Sequence, residues 1–313
     1  MKKITRNFLI AALIIFITVL LVFIFFIRTI YKSFNQEGNN FPPLISSFLN
    51  KINKKEQPAI IPRREETLKV LEGWTIRDIS SHIEEFGFWS KDDFFKVVGL
   101  PLVDYRANKK LTEPYDFSSE FSFLKDKPLH RGLEGYLFPD TYRVYASSSV
   151  EEITRKMLDN FDNKLTENMR VDITSQGRTI YEVITLASLI EKEAPINYQT
   201  GDNKDAKIIA GVFLNRLRIG QGLQSDATLS YIYSDNKPAH SGAELEVDSL
   251  YNTYKYRDLP PGPICNPGIL AIEAAIYPTK TDYNYFLTPK GDSTVIYART
   301  YDEHLKNKYK YLK

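Results

Sequence analysis

The chain has 313 residues, enough for two domains at a soft average of roughly 150 residues per domain. Its formal net charge is only +2 with 26% charged residues, so no global basic field points to nucleic acid, and no zinc finger or aromatic RNA-binding motif is present. The single cysteine, Cys265, excludes an internal disulfide, and four scattered histidines argue against a His-rich metal site. We therefore expect neither a metal nor a cofactor.

An apolar run near the N-terminus, Phe8 to Ile27, is interrupted only by Thr18 and matches the roughly 20 residues that cross a bilayer core. A cleaved signal peptide is the alternative, but the run exceeds an h-region of roughly 7 to 15 residues and no A-x-A site follows it. We predict an uncleaved anchor within residues 1–30. A small excess of flanking basic residues favours a cytoplasmic N-terminus: Lys2, Lys3 and Arg6 precede the run, and Arg28 and Lys32 follow it.

Residues 31–58 are rich in polar residues and predict a juxtamembrane linker. A small α+β unit is predicted over 59–146. It has a strand at Glu66–Leu71, a helix capped by Thr75, a second helix opened by Ser90, and a returning strand. The aromatic stretch Leu133–Tyr145 predicts a strand pair or a bridge between domains and holds two further candidate acids, Glu134 and Asp140.

Residues 147–313 predict a larger, mixed α/β domain, so the fold class is α+β with an N-terminal transmembrane helix. Its predicted helices are Ser149–Leu165, Thr179–Ala194, Asp205–Ile219, Ile269–Ile276 and a basic tail, Tyr301–Lys313. Between them lie a polar turn, Leu223–Ser230, a loop, Pro238–Asp248, a long Pro-rich segment, Tyr251–Gly268, and a hairpin of Tyr283–Leu287 with Thr294–Ala298. A long, rigid, irregular segment is more often functional than accidental.

One carboxylate lies where the predicted helix Thr179–Ala194 should be apolar. At about 100° per residue, Glu191 falls between Ile184 and Ala187 on the face that also carries Ile180 and Ile190. It is either a carboxyl group kept partly from water, with a raised pKa, or a glutamate at the helix end that reaches solvent. The pattern alone leaves both readings open.

Three features together suit sugar chemistry: this carboxylate, the amide and acid side chains after the next helix, and the Pro-rich segment. A phosphate-binding Gly loop, a G-x-S-x-G elbow and an H-E-x-x-H pair are all absent from the sequence. A carboxylic acid with a raised pKa can protonate a glycosidic oxygen and then, as carboxylate, take a proton from the attacking hydroxyl.

At these residues the sequence resembles the endolytic murein transglycosylases of the MltG (YceG-like) type. The resemblance spans nearly the whole chain after the linker, and the α+β unit resembles that family's LysM-like subdomain. The family's usual proline after Gln-Ser/Thr-Asp is Ala227 here. The matching stretches are LEGYLFPDTY (133–142), LASLIEKEA (186–194), GVFLNRLRIGQGLQSDAT (211–228), YNTY (251–254) and LPPGPICNPG (259–268).

The resemblance implies a membrane-anchored enzyme in the cell membrane, with its catalytic domain outside the cytoplasm. It would cleave the MurNAc–GlcNAc β-1,4 bond of peptidoglycan strands, leave a 1,6-anhydro-MurNAc end and end the elongation of nascent strands. The resemblance places the catalytic glutamate, which acts first as acid and then as base, at Glu191. Glu193 is the alternative acid. The implied substrate-binding residues are Gln224, Asp226, Asn252, Tyr254, Glu193 and Asn266.

Two other classes stay open at this point. One is a non-catalytic wall-binding protein that holds glycan through the α+β unit, and the other is a glycoside hydrolase with Asp226 as the partner carboxylate. Peptidoglycan strands are the expected partner in each case, with no nucleic acid. The sequence leaves open contacts with peptidoglycan synthases or division proteins.

Overall fold

The computed structural model describes residues 17–26, 29, 64–235, 237, 239–289 and 294–312. Contacts divide the chain into two units, Met1–Pro62 and Arg63–Lys313. In the first unit, residues 17–26 are helical. None of the helices in the described ranges is both long and apolar enough to span a membrane. Most of the predicted anchor, and all of the predicted linker, lie outside the described residues.

The second unit begins with the predicted α+β arrangement. Strand β1 (Glu65–Lys69) pairs antiparallel with β2 (Thr141–Tyr145), with Glu65 opposite Tyr145 and Lys69 opposite Thr141. Between these strands lie helices α1 (Ile76–Glu85) and α2 (Lys91–Val98) and a 3₁₀ turn, Ser122–Leu124. The predicted order of strand, helix, helix and returning strand is therefore present.

Local side chains explain where α1 starts and which way it faces. Thr75 forms a capping box with Asp78, because each side chain accepts from the other residue's backbone N–H. Ile76, Ile79 and Ile83 recur at helical spacing and are all fully buried. The cap predicted from sequence is correct here, and the buried stripe fixes α1 against the strands.

Helices make up most of the remaining chain. They are α3 (Val150–Lys164), α4 (Glu167–Ser175), α5 (Ile180–Glu193), α6 (Lys204–Arg218), α7 (Asp226–Tyr233), α8 (Gly242–Leu245), α9 (Ile269–Ile276) and α10 (Tyr301–Tyr311). Helix α5 is central, since α4, α6, α7 and α9 all pack against it. Strands β3 (Tyr285–Leu287) and β4 (Ile296–Ala298) form a hairpin, and α10 packs against both of them.

Four details differ from the sequence predictions. Helix α4 was not predicted, because only Ile173 along it is buried and no apolar stripe marks it. Asp226 opens a helix instead of lying within a turn, and the predicted loop 238–248 contains α8. In the aromatic stretch 133–145, only Thr141–Tyr145 is a strand, and it pairs with the distant β1.

A buried carboxylate connects the α+β elements to the helical part of the same unit. Glu134 accepts hydrogen bonds from the backbone N of Ile76 at 3.0 Å, from Asn266 Nδ2 at 3.2 Å and from Tyr231 Oη at 3.1 Å. Burial raises the pKa of Glu134 to about 8, although the bonds from Ile76 and Tyr231 act in the opposite direction. This candidate acid therefore joins structural elements, and the domain boundary predicted after residue 146 stays a prediction.

Candidate active site

A cleft of about 750 Å³ opens beside the C-terminal end of α5. Glu193, the last residue of that helix, lies in its wall together with Gln224, Asp226 and Tyr254. The opposite wall comes from β3 and α10. A cleft of this size lies within the range of small-ligand sites, roughly 300–1,000 Å³.

The carboxylate of Glu193 is partly buried and held in one orientation. Ser225 Oγ donates to its Oε1 at 2.5 Å. Burial raises the pKa of Glu193, whereas the Ser225 hydrogen bond and the charge of Arg216 act in the opposite direction. Asp226 adds to the rise through its negative charge. A carboxyl with a raised pKa keeps its proton at higher pH, as a general acid requires.

Ser225 is itself fixed by a buried chain of hydroxyl groups. Its backbone N donates to Thr253 Oγ1 at 3.0 Å, and its carbonyl accepts from Thr228 Oγ1 at 2.8 Å. The two threonine hydroxyls lie 3.1 Å apart, and all three residues are at most 2% exposed. The donor that orients Glu193 therefore has little freedom to move.

The remaining polar groups of this wall come from the turn before α7 and from the YNTY segment. Tyr254 Oη donates to Asp226 Oδ1 at 2.9 Å. Gln224 has a left-handed backbone with φ of 49°, and its N donates to Thr253 O at 3.1 Å. That conformation leaves its side chain exposed in the cleft. Three predicted binding residues thus converge on Glu193.

Glu191 has different surroundings and does not line this cleft. Its Oε2 accepts from Tyr198 Oη at 2.5 Å and from the backbone N of Gly268 at 3.0 Å. Burial raises the pKa of Glu191, and these two hydrogen bonds oppose the rise. Of the two alternatives that the sequence left open, Glu191 is the carboxyl kept partly from water and not the one that reaches solvent. Its oxygens face α9 and the loop after α5.

Two predicted binding residues are in the interior. Asn252 is fully buried, and its amide donates to the carbonyls of Leu245 and Val247 while its Oδ1 accepts from the N of Tyr254. Its amide atoms are thus hydrogen-bonded within the protein, and its contact with substrate stays a prediction. Asn252 shapes the loop that presents Tyr254.

Asn266 is also fully buried. Its Nδ2 donates to Trp74 O at 2.9 Å and to Glu134, and its Oδ1 accepts from the N of Leu137 at 2.9 Å. Asn266 does not line the cleft, and its role in substrate binding stays a prediction. Its amide connects the Pro-rich segment to the α+β elements.

Sequence reasoning missed a group of cleft residues contributed by α6, β3 and α10. Arg216 donates to Asn284 O at 2.7 Å and to Leu223 O at 2.5 Å, and its guanidinium lies 5.3 Å from the centre of the Tyr285 ring. The rings of Tyr285 and His304 stack 5.3 Å apart. No local pattern signals this group, because the three elements meet only in the folded chain.

No cluster of three or more His, Cys, Asp or Glu side chains suited to a metal ion occurs in the described part of the chain. The cleft instead combines one partly buried acid, a second carboxylate bonded to a tyrosine, and exposed amide and aromatic groups. These groups can bind a polar, ring-shaped ligand and exchange a proton with it.

The chain belongs to the YceG-like family, because the model of that family matches residues 44–310. A crystal structure of a yceG-like protein from Listeria monocytogenes is similar, with a TM-score of 0.63 and 36% identity over 77% of this chain and 75% of that one.

Curated relatives carry a more specific name. An endolytic murein transglycosylase of Bacillus subtilis (strain 168) is 39% identical over 60% of this chain and 50% of its own length. A protein of the same name from Streptococcus pneumoniae serotype 2 is 33% identical over 77% of this chain and 44% of its own length. The chain thus spans about half the length of these curated relatives.

Proposed function

We propose that this protein is an endolytic peptidoglycan lytic transglycosylase that uses Glu193 as its single acid and base. The observation that carries the proposal is the partly buried Glu193 carboxyl, oriented by Ser225, in the wall of a cleft that also presents Gln224, Asp226 and Tyr254. The name of the curated relatives, endolytic murein transglycosylase, supports the reaction and the substrate.

The chemistry requires only one carboxyl group. Protonated Glu193 donates its proton to the glycosidic oxygen as the bond between that oxygen and C1 of MurNAc breaks. The C6 hydroxyl of the same MurNAc then attacks C1, and the Glu193 carboxylate takes the hydroxyl proton. A 1,6-anhydro-MurNAc end forms, no water is consumed, and Glu193 is protonated again.

The choice of Glu193 replaces the sequence prediction of Glu191. Both carboxyls have a raised pKa, so the pKa alone does not separate them. The positions of the two carboxyls differ, since Glu193 lines the cleft, whereas Glu191 is hydrogen-bonded to Tyr198 and Gly268 outside it. A general acid must reach the proton acceptor within hydrogen-bond distance.

Asp226 and Tyr254 have a supporting role in this proposal. The Asp226 carboxylate stabilises the positive charge that develops at C1. The hydrogen bond from Tyr254 holds this carboxylate in position. Gln224 binds sugar hydroxyl or acetamido groups through its exposed amide.

The cellular setting follows from the apolar run Phe8–Ile27. We propose a single-pass anchor in the cell membrane with a cytoplasmic N-terminus, so that residues 64–312 meet glycan strands outside and end nascent strands as they elongate. Protease added to intact spheroplasts should digest the cleft-bearing unit; full protection of that unit would contradict this orientation.

Product mass tests the reaction. The full chain is incubated with uncrosslinked glycan strands, and the fragments are analysed by mass spectrometry. Anhydro-ended fragments are expected. Fragments heavier by one water would instead support a hydrolase that uses Asp226, which lies in the same cleft, and no cleavage at all would support a non-catalytic wall-binding protein.

A further inference from the structure

The cleft continues past the acid to a second wall built by β3 and α10. Tyr285 and Thr288 come from the hairpin, and Tyr301, His304 and Lys308 come from one face of α10. The three α10 residues are spaced three and four positions apart, so they lie along one side of that helix. We call this part the α10 wall.

Charge is distributed unevenly along the cleft. Its two carboxylates, Glu193 and Asp226, belong to the wall that also carries Gln224 and Tyr254. The α10 wall has Lys308 at its surface and Arg216 behind it. The pKa of His304 is lowered by burial and by the neighbouring charges of Lys308 and Arg216, so its imidazole is neutral near pH 7. This wall therefore presents positive charge and no negative charge of its own.

Lys308 is the cation of this wall that a ligand can meet. Arg216 is only 6% exposed and already donates to two backbone carbonyls. Lys308 is exposed, and among the described residues no carboxylate lies within ion-pair distance of its Nζ. Tyr301, which is 57% exposed, adds an open aromatic surface beside it.

We infer that the α10 wall binds the acidic stem peptide of a peptidoglycan sugar, with Lys308 pairing a peptide carboxylate. A neutral sugar polymer offers no partner to this lysine, whereas a peptide-bearing strand carries carboxylates beside its rings. The inference rests on the proposed function, because it assigns the substrate class of the same cleft. The pyrophosphate of a lipid-linked strand shares the anionic oxygen chemistry and is the competing source.

The test compares three substrates with the full chain: lipid-free strands that keep their peptides, lipid-linked strands, and lipid-free strands stripped of peptides. In the stripped strands an amidase has removed the peptides, and the lactyl carboxylate that this leaves on each MurNAc has been converted to a neutral amide. The readout is the ratio of kcat/KM for peptide-bearing over stripped strands. An exposed ion pair contributes little, so Lys308→Gln should lower this ratio by about two- to fivefold. Lys308→Glu should lower it further, because a like charge then faces the carboxylate. Raised salt should lower the wild-type ratio as well.

Lys306→Gln is the matched control, since Lys306 is exposed on the same helix and does not line the cleft; its ratio should equal that of the wild type. An unchanged ratio in Lys308→Gln, or an effect confined to lipid-linked strands, would overturn the inference. If the wild-type chain cleaves none of the three substrates, the proposed function itself fails. The two failures are therefore distinguishable.

Discussion

Glu191 and Glu193 are two residues apart on α5, so their side chains point about 160° away from each other around the helix. Glu193 meets the Ser225 hydroxyl in the cleft, and Glu191 meets the Tyr198 hydroxyl and the Gly268 amide outside it. Both are desolvated carboxyls with a raised pKa. At the scale of the residue, position relative to the cleft separates two otherwise similar acids.

Glu193→Gln should lower the rate of anhydro-end formation by roughly 10²- to 10⁴-fold, because the amide can neither give nor take the proton. The matched variant, Glu191→Gln, keeps an oxygen that accepts from Tyr198 and Gly268 and should retain most activity. Rates are measured by chromatography of the released fragments, and circular dichroism checks that both variants are folded. Loss in Glu191→Gln with activity kept in Glu193→Gln would restore the original prediction.

Ser225→Ala tests the hydrogen bond that orients the acid. The Ser225 hydroxyl donates to the carboxylate and stabilises its charged form, so its loss should raise the pKa of Glu193. The alkaline limb of the kcat/KM profile should therefore move to higher pH, while the maximal rate falls as the carboxyl becomes less ordered. Ser175→Ala, on the exposed face of α4, should leave the profile unchanged. A limb that moves to lower pH would contradict the assignment.

At the scale of the element, α6 connects the two walls of the cleft. Its Asn215 side chain donates to Thr281 O at 2.8 Å and to Tyr283 O at 3.0 Å, just before β3. One turn earlier, Gly211 allows the chain to pass very close, since a Cβ there would lie 2.2 Å from Thr279 O. The approach of this backbone segment to α6 places β3, and with it α10, across from Glu193.

Gly211→Ala should therefore destabilise the protein. Alanine gains about 0.5–1 kcal/mol over glycine inside a helix, but a clash with a backbone oxygen costs about 1–3 kcal/mol and dominates. Gly242→Ala is the control, because no atom lies near its added Cβ in α8. Urea denaturation should give a lower unfolding free energy for the first variant and an equal or higher one for the second. Stabilisation by Gly211→Ala would show that the close approach is not required.

At the scale of the whole molecule, three carboxyls are held in protein surroundings instead of water. Glu134 joins α1, α7 and the Pro-rich segment, and Glu191 and Glu193 lie on either side of the end of α5. Burial raises the pKa of each, for Glu134 to about 8. The folded chain thus holds protons that the unfolded chain releases above the ordinary glutamate pKa of 4.5.

This difference predicts how stability depends on pH. Above about pH 4.5, and for Glu134 up to about pH 8, these three carboxyls bind more protons in the folded state than in the unfolded state, so the free energy of unfolding should fall as the pH rises. His130 and His304, whose pKa burial lowers, oppose this fall near pH 6.5 but are fewer than the carboxyls. Lys127, whose pKa burial lowers to about 8, has the opposite effect above that pH. Urea denaturation of the full chain at a series of pH values checks the slope. A free energy that rises from pH 5 to 8 would contradict it.

Glu134→Gln should flatten that slope, because the titrating group is gone. Near pH 5, where the wild-type carboxyl is protonated in the fold, it should lower stability by about 1–3 kcal/mol, since its amide NH₂ would face donors that now bond to oxygen. This deficit should shrink as the pH rises, because the wild type alone loses stability as Glu134 titrates. Asp140→Asn is the comparison, as that carboxylate is exposed. An unchanged slope in Glu134→Gln would remove Glu134 as its source.

Much of the architecture could be predicted from sequence because its signals are local. Thr75, Ser149 and Thr179 start helices at capping boxes, and the Ile stripe of α1 is buried as its spacing indicates. Helix α4 has no such stripe and was missed. The neighbourhood of Gln224, Asp226 and Tyr254 was also predicted, through the resemblance.

What the sequence by itself determined is most of the helices and strands, the family, and the pair of glutamates at the end of α5. Only the tertiary structure showed which of those glutamates lines the cleft and placed Asn252 and Asn266 in the interior. Positions 183–190 of α5 are all buried, so membership of an apolar arc does not reveal which neighbour a side chain meets. Lys308 and Glu193 share a cleft only because chain segments far apart in sequence pack together, and that packing has no local signal.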